Sequence, residues 1–223
     1  MNIRISALAL LASILALPLH AAEETEQRFE EGVHYTVLDT PVPTRDGNRV
    51  EVVKAFSYGC SPCYALEQSI AKWGNVGAAE IDFWQFPAVW NEPMAVLARA
   101  FYAAQELGVL RQVHGPLFSA IVVEQRKLST ASELSGFVAT LGVDSDAFMS
   151  AYLSSTVRRQ VEAAERKVRS YNLASAPEFI VNGKYRVDRM RAGGLAEMLD
   201  VVDFLVQREL SESVPASTAH NTD

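Results

Sequence analysis

The chain has 223 residues, of which 49% are hydrophobic and 21% charged, and its formal charge is −7. That length suits one globular domain with room for an inserted subdomain, and it can bury a core without disulfide support. No basic run exceeds two residues, which argues against a nucleic-acid groove or a polybasic membrane patch.

Residues 1–21, "MNIRISALALLASILALPLHA", carry one cation, Arg4, then an apolar run from Ile5 to Leu17, then Pro18 and small residues. This is the layout of a secretory signal peptide, with cleavage after Ala21 or Ala22. A membrane anchor is the weaker alternative. The apolar run falls short of the ~20 residues needed to span a bilayer, and Glu23, Glu24 and Glu26 follow at once. Removing the segment leaves a mature chain of about −8. Export places the remainder in an oxidising space such as the periplasm.

"RVEVVKAF" (49–56) is rich in β-branched and aromatic residues and predicts a strand, preceded by a turn at Asp46-Gly47. Gly59 ends the run. Cys60, Ser61, Pro62 and Cys63 follow, and "YALEQSIAKW" predicts a helix, with Pro62 suited to its first turn. Cys60 therefore belongs at a helix N-terminus, with Cys63 one turn inside. "AEIDFWQFPA" (79–88) predicts the next strand, and strand–helix–strand order favours a βαβ unit.

Residues 92–172 read as mostly helical. "EPMAVLARAFYAAQEL" has near-3.6 apolar spacing and stops at Gly108. "TASELSGFVATLG" opens with Thr130 and Glu133 at capping-box spacing, Asp144 caps "SDAFMSAYL", and Thr156 begins a long amphipathic stretch. "EFIV" and "KYRV" flank Asn182-Gly183, the favoured type I′ hairpin signal. A last helix runs from Gly194 to about Leu210, and the tail is polar. The reading is an α/β thioredoxin-like fold with a large inserted helical subdomain. Its divisions are 22–91 and 167–210 for the two thioredoxin parts, 92–166 for the insert and 211–223 for a flexible tail.

Cys60 and Cys63 are the chain's two cysteines, and three chemistries compete for them. A staple across two residues closes too small a loop to stabilise much through chain entropy. Zinc needs four ligands, and His34 and His114 sit at no zinc-like spacing from the pair. A redox pair is favoured. The thiolate is the nucleophile, a helix N-terminus stabilises it, and i, i+3 placement brings the two Cα atoms to ~5–6 Å, within bridging range. Neither histidine is given a role, and no metal or cofactor is assigned.

The chain resembles the DsbA-type periplasmic thiol:disulfide oxidoreductases of the thioredoxin superfamily. "FEEGVHY" (29–35), "FSYGCSPCY" (56–64), the helical insert and "SAPEFIVNGKY" (175–185) carry the likeness, over most of 29–208. The resemblance implies a redox-active Cys60–Cys63 disulfide that oxidises thiols of unfolded, newly exported proteins. It also implies re-oxidation by a membrane quinone-linked partner resembling DsbB, and the reading expects a monomer. Pro177 matches a family proline whose preceding bond is cis and lies against the cysteines, leaving the Ala176 backbone to pair with a substrate peptide. Ser61 and Pro62 depart from the proline–histidine pair of the best-known oxidases, so Cys60 is expected to be less acidic than theirs. Lys54 stands where the family places a buried acid and, if buried, favours a nearby thiolate; equally, an alternating strand can point it to solvent. Glu67 matches a family glutamate that can relay a proton to Cys63, although an ordinary solvated helix residue is the better reading of it. Phe56, Tyr58, Tyr64, Trp84 and Trp90 are candidates for an apolar groove, with core packing the better reading for any one of them. Two alternatives stay open: a reductase or isomerase of the same fold, and a non-catalytic chaperone or binding module.

Overall fold

The computed structural model describes residues 28–73 and 79–213; the expected signal peptide and the chain beyond 213 lie outside the described residues. A mixed sheet forms the centre, from β1 (Thr36–Val37), β2 (Val50–Phe56), β3 (Ile81–Pro87), β4 (Glu178–Val181) and β5 (Tyr185–Asp188). Its order is β1-β5-β4-β2-β3. β2 and β3 pair in parallel, from Val50 opposite Ile81 to Phe56 opposite Pro87. The helix α1 (Ser61–Trp73) connects them, so the strand–helix–strand order does give a βαβ unit. The β4–β5 hairpin joins β2 antiparallel, with Lys54 opposite Phe179.

Five helices separate β3 from β4: α2 (Glu92–Glu106), α3 (Leu110–Val122), α4 (Ala131–Thr140), α5 (Ser145–Leu153) and α6 (Ser155–Ser170). Their starts follow local chemistry. Asn91 accepts a bond from the Met94 amide, Thr130 and Glu133 close a reciprocal capping box, and Asp144 accepts from Asp146 and Ala147. α6 begins at Ser155, one residue before the Thr156 start that the pattern suggested, with Ser154 as its cap. The expected division at 166/167 falls inside α6, which runs unbroken to Ser170. After β5 come the single turn α7 (Arg189–Ala192) and the long α8 (Leu195–Ser213), which extends past the expected end near Leu210 into the stretch read as tail.

Two hydrophobic cores lie on opposite faces of the sheet. On one, Val52, Phe179, Val181 and Val187 pack against Leu66 and Ile70 of α1 and Met198, Val202 and Leu205 of α8. On the other, Val53, Ala55, Phe86 and Ile180 meet Phe101, Phe118, Leu134 and Phe148 from the inserted helices. β2 is an interior strand covered on both faces, so every residue of it is buried, Glu51 and Lys54 included. Strand alternation does not carry Lys54 to solvent.

Asn182 and Gly183 both take positive φ, 48° and 63°, as a type I′ turn requires. The turn also receives the chain that follows β1: the Val42 amide donates to Gly183 O at 2.8 Å, and the Leu38 amide to Lys184 O at 2.7 Å. A Cβ on Gly183 would lie 1.9 Å from Val42 O. Gly183→Ala is therefore expected to cost more than about 2 kcal/mol, combining the left-handed backbone penalty with the displaced segment, in urea unfolding of the oxidised protein.

Candidate active site

β2 ends at Phe56, and residues 57–59 turn the chain into α1. The Cys60 amide donates to Ser57 O at 3.0 Å, and Cys60 O accepts the first intrahelical bond, from the Tyr64 amide at 3.1 Å. Cys60 is thus the N-cap of α1. Its Sγ accepts a hydrogen bond from the Cys63 amide at 3.1 Å, where a capping serine or aspartate would place an oxygen. No comparable bond reaches the sulfur from Ser61, which is exposed, or from Pro62, which has no N–H. Cys60 and Cys63 are joined as a disulfide with Cα atoms 5.2 Å apart. The two sulfurs differ in access: Cys63 is fully buried, and Cys60 is partly exposed in an open groove of about 500 Å³.

One lip of the groove is formed by Trp90, Pro93, Met94 and Leu97, and the other by Ala174–Ala176. Ala176 O lies 3.2 Å from Cys60 Sγ, and the Ala176–Pro177 bond is cis. Glu178, which the sequence reading passed over, holds this second lip. Its Oε1 accepts from the Ala174 amide at 3.2 Å, the Ser175 amide at 2.8 Å and the Ser175 hydroxyl at 2.9 Å. Burial pushes its carboxyl up, against the Ser175 bonds that pull it down. The local signal was Ser175 three residues before an acid, a spacing that lets its amide and hydroxyl both donate to the carboxylate.

Of the five candidate aromatics, Trp90 lines the groove. Phe56 and Tyr58 are buried in the core, and Tyr64 packs on Phe118. Trp84 stands elsewhere, with Arg45 over its ring at 4.6 Å and its indole N–H donated to Glu51.

Behind the disulfide lies a buried polar cluster. Lys54, fully buried, forms a hydrogen-bonded ion pair with Glu67 on α1, four residues after Cys63. Glu67 Oε2 lies 3.4 Å from His114 Nε2, and His114 Nδ1 is 2.8 Å from the Tyr58 hydroxyl. Burial pushes the Glu67 carboxyl up, but His114 and Lys54 outweigh it and hold the group below the ordinary carboxylate range. Burial lowers the Lys54 ammonium, with Glu67 opposing. Lys54 and Glu67 are thus brought together, and His114, which no spacing in the sequence had pointed to, joins them. The only available hint was a histidine inside an apolar helix pattern, at "QVHGPLF" (112–118).

The pair predicts an asymmetric response to mutation. Glu67→Ala strands Lys54 as an unpaired buried cation, costing on the order of 3–5 kcal/mol. Lys54→Met should cost less, because the Glu67 side chain is 25% exposed and keeps His114. Urea unfolding at neutral pH checks the order. With its folded value depressed, Glu67 adds stability that is full above the unfolded carboxylate range and is lost as pH falls through the lowered value. Glu67→Gln should flatten that acid limb.

The DSBA-like thioredoxin domain model matches residues 78–200. The thiol:disulfide interchange protein DsbA of Pseudomonas aeruginosa is 35% identical over 208 residues, covering 93% of this chain and 96% of that one. The protein of the same name from Azotobacter vinelandii is 35% identical over 199 residues, covering 89% and 93%. The crystal structure of P. aeruginosa DsbA superposes with a TM-score of 0.80 at 36% identity, over 83% of this chain and 96% of that one. That of DsbA from Xylella fastidiosa gives 0.74 at 28% identity, over 80% and 96%. The domain match begins after Cys63, whereas the full-length alignments span nearly the whole chain. A mixed thioredoxin sheet, a helical insert and a disulfide capping α1 agree with these likenesses, and the chain belongs to the DsbA family.

Proposed function

We propose that the protein is a periplasmic thiol:disulfide oxidoreductase that donates the Cys60–Cys63 disulfide to thiols of newly exported proteins. One observation carries the reading: the accessible sulfur is also the sulfur that caps α1, with the Cys63 amide 3.1 Å away. A client thiolate attacks Cys60 Sγ, the Cys60–Cys63 bond breaks, and Cys63 leaves as a thiolate that takes up a proton. A second client thiolate attacks the client sulfur of this mixed disulfide. The client disulfide forms, and Cys60 departs with the electron pair as a thiolate facing the helix N-terminus. Stabilising that thiolate makes the disulfide the stronger oxidant.

The remaining residues take supporting roles. The groove beside Cys60 receives an extended client segment, with the Ala176 backbone, held ahead of Pro177, pairing to it. Ser61 and Pro62 set how many donors reach the Cys60 thiolate. Lys54 supplies positive charge behind the pair, and Glu67 serves the proton exchange of Cys63. A membrane quinone-linked oxidase resembling DsbB takes the two electrons back, and the protein works as a monomer. The segment 1–21, read as a signal peptide, supports export.

In the reduced protein, Cys60 should titrate below the ordinary thiol value of about 8.5, read by thiolate absorbance; an unshifted value removes the basis for an oxidant. Cys63→Ala should collect client mixed disulfides on Cys60, and Cys60→Ala should abolish exchange. A binding module would keep its clients in both variants. Equilibration against glutathione then separates an oxidase from a reductase.

A further inference from the structure

His114 reaches the active site from α3, inside the inserted subdomain, and none of the exchange steps uses it. It is 9% exposed. Its ring sits among Phe56, Phe101 and Phe118, with centroids 5.1, 5.8 and 5.2 Å away. An imidazole buried among aromatics needs partners for both nitrogens. Nδ1 has the Tyr58 hydroxyl at 2.8 Å. Burial pushes that hydroxyl well above the ordinary phenol range, so it stays protonated and can donate. Nε2 faces Glu67 Oε2 at 3.4 Å and the Gln85 amide nitrogen at 3.2 Å.

Two observations fix the sense of these bonds. An ionised carboxylate only accepts, so Nε2 carries its hydrogen toward Glu67. As placed, Gln85 turns a nitrogen toward Nε2 and leaves its own Oε1 buried without a partner. Turning the amide over brings that oxygen to Nε2–H as an acceptor. The resting arrangement is therefore Tyr58 O–H to Nδ1, and Nε2–H to Glu67 and Gln85. Nδ1 remains the free base of the cluster. When it takes a proton, the Tyr58 hydroxyl rotates from donor to acceptor, and no bond is lost. The groups facing the imidazole are Glu67 of α1, with Lys54 of β2 behind it, Tyr58 of the active-site turn and Gln85 of β3; α2 presents the Phe101 ring.

We propose that His114 is a positioning residue of the exchange reaction, tying proton uptake in the inserted subdomain to reduction of the Cys60–Cys63 pair. It touches the site on both sides, through Tyr58 two residues before Cys60 and through Glu67 four residues after Cys63. Reduction adds two electrons from client thiols, leaving Cys60 as a thiolate, while Cys63 takes one proton. The new negative charge favours a further proton from solvent on His114 Nδ1. The reduced form then binds protons more tightly than the oxidised form. By linkage, falling pH drives the pair toward the dithiol and makes the disulfide a stronger oxidant in acid. The inference rests on the dithiol chemistry of Cys60 and Cys63, not on a proton step at Glu67.

The test needs no variant at first. His114 is followed by NMR titration in the oxidised and reduced full chain, and its midpoint should lie higher in the reduced form. The equilibrium against glutathione is then measured from pH 5 to 8 for wild type, His114→Gln and, as a control, His34→Gln. As pH falls over this range, wild type should gain about tenfold in oxidising strength beyond the His114→Gln curve, the size expected of unit charges ~12 Å apart at an effective dielectric near 20. His34→Gln should follow wild type. Identical midpoints in the two redox forms, or parallel wild-type and His114→Gln curves, overturn the proposal. Glu67→Gln separates the readings: slowed exchange there, with parallel His114 curves, sinks this inference and leaves the Glu67 role standing.

Discussion

The fold is organised around a sulfur atom used as a helix cap. Cys60 Sγ accepts the Cys63 amide at 3.1 Å, in a position where helices ordinarily place an oxygen. Every orphan amide of a first turn needs an acceptor, and an anionic acceptor is better satisfied than a neutral one. Opening the disulfide while leaving Cys60 as a thiolate therefore improves the cap at the moment the redox bond is lost. The rest of the site serves that geometry. β2 delivers the turn, α1 supplies the amides, and Glu178 holds the facing lip by three hydrogen bonds.

The polar cluster behind the disulfide is costly by comparison. Lys54 is fully buried, and burial disfavours its charge. It persists because Glu67 and His114 complete a connected set that runs from an interior strand of the sheet to the inserted helices. Such a set ties the two subdomains together at the place where the chemistry occurs.

What could be read from the sequence was what depends on neighbours along the chain. The strand before Cys60, the caps at Thr130 and Asp144 and the Asn182-Gly183 turn are encoded within a few residues of where they act. The cysteine pair was legible for the same reason. Burial of Lys54 was not, because it needs cover from both sides of the sheet, one side coming from helices far along the chain. His114 was illegible too, since its hydroxyl partner Tyr58 lies 56 positions earlier. β1 has only two residues and pairs with a strand about 150 positions later, so no local pattern announces it.

The unbroken course of α6 has a mechanical meaning. The helix packs along α2, and the groove opens where both meet the thioredoxin part: Trp90 stands just ahead of α2, and Ala174–Ala176 come just after α6. Widening that mouth would require sliding two packed rods past one another. On α6, Val157, Val161 and Ala164 are buried in the core. For the clients proposed above, such a mouth suits a supple, unfinished polypeptide better than a stiff, finished globule.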